Sequence, residues 1–330
     1  REMGVQVNFA PVADVNINPD NPVINTSSFG EDPVKVADKV IAYASGLESG
    51  KVLSVCKHFP GHGDTDVDSH KALPVLPFTR ERLDSVELYP FKEAIRAGVS
   101  GMMVGHLQVP VIEPIGDLPS SLSRNVVYGL LTEELAFKGL IFTDALAMKG
   151  VAGNKSVCLQ ALQAGNDMVL APRRLKEEMD AVLEAVEKGE LPEEEINAKC
   201  RKVLTYKYIL GLERKPFVKL SGLGTRINTP QTRDLISRLN LAAITVLNNK
   251  NDVLPLHPDL KEAAILNVGK PEEIEPFDRK MKKYTSFARF QLRKDLPEAE
   301  QQKLRDSLAA YRRVIVTVTE QRLAPYQSFF

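Results

Sequence analysis

"VLSVCKHFPGHGDTDVDSH", residues 52–70, decides how the chain around it is read. Its first eight residues (52–59) are nearly continuously apolar and end on Lys57 and His58. A strand that is apolar throughout, without alternation, is buried on both faces, as in a parallel sheet covered by helices. The polar pair then sits at the carboxyl end of that strand. A long loop follows, carrying Pro60, Gly61 and Gly63 among His62, Asp64, Asp66, Asp68 and His70. From composition alone such a loop is a metal site, an acid–base site or a solvated polar surface.

The same alternation extends in both directions. "VQVNFAPVADV" (5–15) reads as a first strand, and 34–50 as a helix closed by Gly50. A helix over 79–98 is opened by Thr79 and closed by Gly98, and "SGMMVGHL" (100–107) is the third strand. Ser123 caps a helix to about Phe137, "GLIFTDAL" (139–146) is the fourth strand, 156–165 a helix and "NDMVLAP" (166–172) the fifth strand. Helices follow at about 174–188 and 193–210. Strand and helix in strict turn predict an α/β fold with a parallel sheet. A doubly wound sheet and a (β/α)8 TIM-type barrel both fit. The polar residues favour the barrel: Asp14 and Asn16 end the first strand, Lys57 and His58 the second, His106 the third and Asp144 the fourth. Barrel enzymes draw their chemistry from the carboxyl ends of several strands.

Five strands are short of eight, so three βα units are expected before residue 1, in keeping with a start that lacks Met. The expected organisation is an N-terminally incomplete barrel over 1–212 and a linker over 213–239, rich in Gly, Pro and Thr. A second α/β domain over 240–330, incomplete at its C-terminal end, has strands at 263–269 and 313–319.

Bulk composition narrows the classes. The chain has 330 residues, 43% hydrophobic and 26% charged, with a formal net charge of +0. Without a basic patch, no nucleic-acid partner is expected. No apolar run approaches the roughly 18 residues of a transmembrane segment. Cys56, Cys158 and Cys200 lack CxxC spacing, which argues against a disulfide framework and a structural zinc site. His58, His62, Asp64 and His70 are chemically able to ligate a metal, but Pro60, Gly61 and Gly63 break the helix that would align an HxxxH pair. No cofactor is expected. Cell envelope and cytoplasm are both compatible with the sequence.

Four motifs in order carry a resemblance: "NPVINTSSFGEDP" (21–33), "KHFPGHGDTDVDSH" (57–70), "GLIFTDALAMKGV" (139–151) and "ITVLNNKNDVLPL" (244–256). Together they resemble family 3 glycoside hydrolases, and the DSH ending of the loop looks like the β-N-acetylglucosaminidase branch rather than the β-glucosidase branch. The resemblance implies a (β/α)8-type catalytic barrel followed by a second domain. It implies a retaining hydrolase of terminal β-linked N-acetylglucosamine, acting on an amino-sugar glycan such as a peptidoglycan fragment. In its terms Asp144 is the nucleophile, Asp68 and His70 form the acid/base pair, Lys57 and His58 bind sugar, and His106 lies near the same subsite.

The chemistry suits these residues. A nucleophile must be ionised and weakly basic, as an aspartate is. The acid/base must hold a proton in one step and lose it before the next, and an imidazole titrating near pH ~6.5 is poised for both. Asp68 could hydrogen-bond the far ring nitrogen and set the tautomer. Gly61 and Gly63 are expected to make the loop pliant. One position departs from the family pattern: Ser27 in "NTSSFG" stands where an arginine usually contacts the sugar, and a hydroxyl cannot supply a forked cationic contact. The competing readings are a β-glucosidase or glycoside phosphorylase of the same family, a non-catalytic glycan-binding module, and a metal-dependent hydrolase.

Overall fold

The structure is a computed structural model that describes residues 2–67, 72–151, 153, 156–214, 218–256, 263–284, 286–320, 323 and 326–329. The chain divides into two compact units, Arg1–Arg233 and Asp234–Phe330.

In the first unit five parallel strands, β1 (Val7–Asn8), β2 (Leu53–Phe59), β3 (Gly101–Val104), β4 (Leu140–Ala145) and β5 (Met168–Leu170), lie side by side in chain order. Their registers pair Val7 with Leu53, Val55 with Gly101, Gly101 with Leu140 and Phe142 with Met168. A doubly wound sheet reverses its strand order at a switch point, and this one does not. The unreversed progression is the wall of a barrel-type α/β fold.

Neighbouring strand residues point to opposite faces, and both faces are covered. On one face Cys56, Met102, Val104 and Ile141 pack with Val36, Val40, Phe91 and Val127 from the connecting helices. On the other, Leu53, Val55, Met103, Leu140 and Phe142 pack with Val203, Tyr206 and Leu210. That two-sided burial is why the strands read as unbroken apolar runs. Each fully buried Val, Leu or Phe contributes on the order of 2 kcal/mol over exposure. Cys56 and Cys158 are buried free thiols, which burial pushes up to about 12, and Cys200 is exposed.

The helices form where the pattern expects them. α1 (Pro33–Ser49) starts with Pro33 and is capped by Asp32, whose Oδ1 accepts from the Val34 and Lys35 amides at 3.0 and 3.1 Å. After β2, α2 (Arg80–Arg82) is capped by Thr79, and α3 (Tyr89–Arg96) buries Phe91 and Ala94. Between them Leu83–Glu87 widens into a π-turn, closed by the Leu88 amide on the Leu83 carbonyl at 2.8 Å. The helix expected from Ser123 is a π-helix over Asn125–Glu134. Hydrophobic periodicity gives no warning of this, because the change is a one-residue shift of the backbone bonding partner. α4 (Val157–Ala164), α5 (Leu175–Glu187) and α6 (Glu193–Ile209) complete the alternation.

The stretch expected as a linker contains α7 (Leu223–Ile227) and the start of α8 (Pro230–Ala243), and the two units divide within α8. In the second unit, β6 (Ala263–Val268), α9 (Pro271–Met281), β7 (Ala288–Leu292), α10 (Glu298–Ala309) and β8 (Arg313–Val318) form a parallel sheet in the order β7-β6-β8. Here the order does reverse, at β6. Strand β7, "ARFQL", has no counterpart among the expected elements. Its apolar residues alternate with Arg289 and Gln291, so it lacks the unbroken run that marks the other strands.

Candidate active site

The parallel register of the first two strands builds the site. Beyond β1 the chain still runs beside β2: the Lys57 amide donates to the Pro11 carbonyl at 3.1 Å and the Ala13 amide to the Lys57 carbonyl at 2.6 Å. That brings Asp14 alongside His58 and the start of the loop. Asp14 is 0% exposed. Its carboxylate accepts the His58 amide at 3.1 and 3.2 Å, the His62 amide at 2.7 Å and the His58 ring Nδ1 at 2.8 Å. Burial alone drives this carboxyl pKa up, but the charges and hydrogen bonds of His58 and His62 outweigh it and hold the group below the ordinary aspartate value. Asp14 is therefore the buried anion around which the loop is wrapped.

Asn21 fastens the loop from the other side, its Nδ2 donating to the carbonyls of His62 at 2.8 Å and Gly63 at 3.1 Å. The Thr65 hydroxyl donates to the His62 carbonyl at 3.1 Å, and the His62 Nδ1 lies 2.7 Å from the same hydroxyl. Arg82 reaches from α2 to Asp64 and to Glu87, both at 2.9 Å. His62 and Asp64 thus shape the loop.

Gly61 and Gly63 are close-packing positions here, not sources of pliancy. A Cβ on Gly63 would stand 1.9 Å from the Val15 carbonyl oxygen, and one on Gly61, at φ +132°, 2.8 Å from the Glu87 Cβ. Gly63→Ala forces the loop off the segment after β1 that carries Val15. Overpacking of this kind costs about 1–3 kcal/mol, a fall of roughly 3–10 °C in the melting temperature for a unit of this size, with a loss of site geometry. Calorimetry of the variant checks it, and an unmoved midpoint would place the loop elsewhere.

Burial depresses the His62 pKa below that of a free imidazole, against the attraction of Asp14. A folded-state value lower than the unfolded one means that the unfolded chain binds the extra proton. Stability is then full above about pH 6.5 and declines as pH falls from there towards the folded pKa, by at most about 1.4 kcal/mol per pH unit. The melting temperature of wild type should drop from pH 7 to pH 5 more steeply than that of His62→Gln. Parallel curves would remove His62 as a source.

At the ends of the neighbouring strands, His106 is 0% exposed, with Nδ1 at 2.7 Å from the Ser121 hydroxyl and Nε2 at 3.1 Å from the Ala145 carbonyl. A carbonyl only accepts, so Nε2 carries the hydrogen and Ser121 donates to Nδ1. His106 is a strap from the end of β3 to the backbone next to Asp144. Asp144, half-buried near the end of β4, accepts the Ala145 amide at 2.7 Å. This is not an N-cap, which would bond an amide two or three residues ahead. Its charge raises the proton affinity of His62, so Asp144 acts electrostatically on the loop from β2. Lys57 is half-buried, and its ammonium has no hydrogen-bond partner among the described residues.

Thus Lys57, His58, His106 and Asp144 all stand at the carboxyl end of one sheet, with Asp14 beneath them. Asp68 and His70 lie outside the described residues. Ser27 ends the 3-10 turn Asn25–Ser27 and is exposed, while its neighbour Ser28 donates to the Asp14 carbonyl at 2.6 Å. Sequence reading placed Asp14 at a strand end but did not pair it with His58. The available signal was the parallel alignment of the two strands.

The chain is similar to several known proteins. The chain is 35% identical over 276 residues to beta-hexosaminidase A of Pseudoalteromonas piscicida, covering 77% of this chain and 46% of that protein. It is 37% identical over 217 residues to beta-hexosaminidase LpqI of Mycobacterium bovis (strain BCG / Pasteur 1173P2), covering 63% and 55%. It therefore spans about half the length of these curated relatives. The solved structure of a glycoside hydrolase family 3 beta-N-acetylglucosaminidase from Paenibacillus sp. str. FPU-7 superposes with a TM-score of 0.81 at 33% identity, over 96% of this chain and 62% of that one. Residues 1–206 match the glycosyl hydrolase family 3 N-terminal domain, which shows that the chain belongs to glycosyl hydrolase family 3.

Proposed function

We propose that the protein is a retaining exo-β-N-acetylglucosaminidase that removes terminal β-linked N-acetylglucosamine from amino-sugar glycans such as peptidoglycan fragments. The observation that carries this reading is the convergence of Lys57 and His58 from β2, His106 from the end of β3 and Asp144 from β4 at the carboxyl end of one parallel sheet, where His106 Nε2 bonds the carbonyl of Ala145 next to Asp144. The beta-hexosaminidase relatives supply the sugar class. The first unit is read as part of an eight-stranded barrel, the second as the start of the family's second domain.

Asp144 attacks the anomeric carbon, and the glycosidic oxygen leaves with a proton from His70, whose far nitrogen is held by Asp68. A water then attacks the glycosyl ester as His70 takes its proton, and Asp144 is released. Lys57 and His58 hold sugar hydroxyls. His106 serves the subsite through the Ala145 backbone it holds.

Hydrolysis of aryl N-acetyl-β-D-glucosaminide by the full chain, beside aryl β-D-glucoside and each with and without phosphate, tests the reading. The expected result is turnover of the first substrate that phosphate does not accelerate. Turnover of the glucoside alone would move the protein to the glucosidase branch. A phosphate requirement would make it a phosphorylase, and sugar binding without turnover would make it a binding module.

A further inference from the structure

We propose that Asp14 is a positioning residue for His58: it fixes the imidazole as the Nδ1–H tautomer, so that the ring presents Nε2 to a bound sugar as a hydrogen-bond acceptor. The inference rests on the glycosidase reading for its ligand, but the pairing itself stands on geometry.

Three observations carry it. First, Asp14 is wholly buried and its carboxylate receives both the main-chain N–H and the ring Nδ1 of one residue, His58. Two contacts from one carboxylate, one to the backbone and one to the ring, fix both where the residue sits and how its ring is turned. Second, a carboxylate accepts and does not donate, so the hydrogen of this pair lies on Nδ1. The neutral ring then has its lone pair on Nε2. Third, the His58 side chain keeps 14% of its surface, and no described residue bonds Nε2. The ring edge opposite Asp14 is thus the edge left for a ligand.

The consequence is a division of labour. The Lys57 ammonium has donors only, and His58 in this tautomer offers an acceptor. Sugar hydroxyls both donate and accept, and a lysine beside a donor-only imidazole would offer the hydroxyl protons no acceptor from this pair. Asp14 itself, beneath the ring, does not reach the substrate. The logic is that of an aspartate that orients a catalytic histidine, applied to a binding histidine.

The test begins without turnover. The chain has five histidines, so 15N-histidine NMR of the full chain, with His58→Gln to assign the signal, reads the tautomer directly. The expected spectrum shows protonated Nδ1 and bare Nε2 for His58, shifting towards a mixture in Asp14→Asn. A bare Nδ1 in the wild type overturns the proposal whatever the enzyme's activity. Kinetics on the aryl N-acetyl-β-glucosaminide follow. Asp14→Asn and His58→Ala should each lower kcat/KM on the order of 100-fold, below the loss seen when a proton-transferring histidine loses its aspartate. Asp14 also holds the His62 amide, so the double variant should lose less than the product of the two single losses, the shortfall being the part of the Asp14 effect that passes through the ring. Additive losses overturn the proposal. A wild type with the expected tautomer but no turnover would leave the pair intact and remove only the glycosidase reading.

Discussion

On the proposed mechanism, Asp144→Ala is expected to lower turnover of 4-nitrophenyl N-acetyl-β-D-glucosaminide by about 10,000-fold or more, the scale on which a lone nucleophile's removal is felt when the rest of a covalent mechanism depends on it. The loss is chemical, not structural. Asp144 is half-buried near the end of β4, and its described hydrogen bond is to the amide of the next residue. The strand is held by other means. β4 pairs with β3 from Gly101 to Val104 and with β5 at Phe142 and Ala145, and the Leu170 amide donates to the Thr143 hydroxyl at 3.0 Å. The melting temperature should therefore move by no more than about 2 °C. Asp144→Glu is expected to lose less, on the order of 100-fold, because an added methylene displaces the attacking oxygen by about 1 Å, and misplacement on that scale costs about that much. Rates and melting curves on the three proteins decide the matter. Turnover in Asp144→Ala within 10-fold of wild type would take the nucleophile away from this residue.

What could be read from the sequence, and what could not, follows from the range of the forces involved. The strands of the first unit were legible because burial on both faces leaves Val55 and Cys56, or Met102 and Met103, equally apolar, and only a covered parallel sheet requires that. Their helices were legible through local signals, such as Asp32 before Pro33 and Thr79 before Arg80. The widened bonding of Asn125–Glu134 was not, since its buried Val126, Val127, Leu130 and Leu131 keep an ordinary helical spacing. Strand β7 was hidden because one of its faces is polar. Lys57, His58, His106 and Asp144 were expected along one edge of the sheet because each ends a recognisable strand, and the structure places them there. The bond from Asp14 to His58 joins residues 44 apart, and no local pattern encodes it. The two loop glycines were misread for the same reason: the Val15 carbonyl that demands Gly63 comes from a different strand connection.

His70→Ala separates the two halves of the reaction, and its expected effect is the second largest. General acid–base groups contribute about 100- to 10,000-fold. A 4-nitrophenolate leaves readily without a proton, so the first step on that substrate is only mildly slowed by loss of the imidazole. Release of the glycosyl ester is another matter, because water needs a base. The ester should accumulate, giving a burst of nitrophenolate followed by a steady rate reduced about 100-fold or more. Azide, which attacks without a base, should restore the steady rate and yield a glycosyl azide of retained configuration. A glycoside with a poor leaving group should show no burst, since its first step needs the acid. Asp68→Asn should move in the same direction by a smaller factor, as the loss of an orienting partner does. A His70→Ala protein that keeps a wild-type steady rate and ignores azide would assign the proton transfers to another residue, and His58, with an Nε2 that no described residue bonds, is the first place to look.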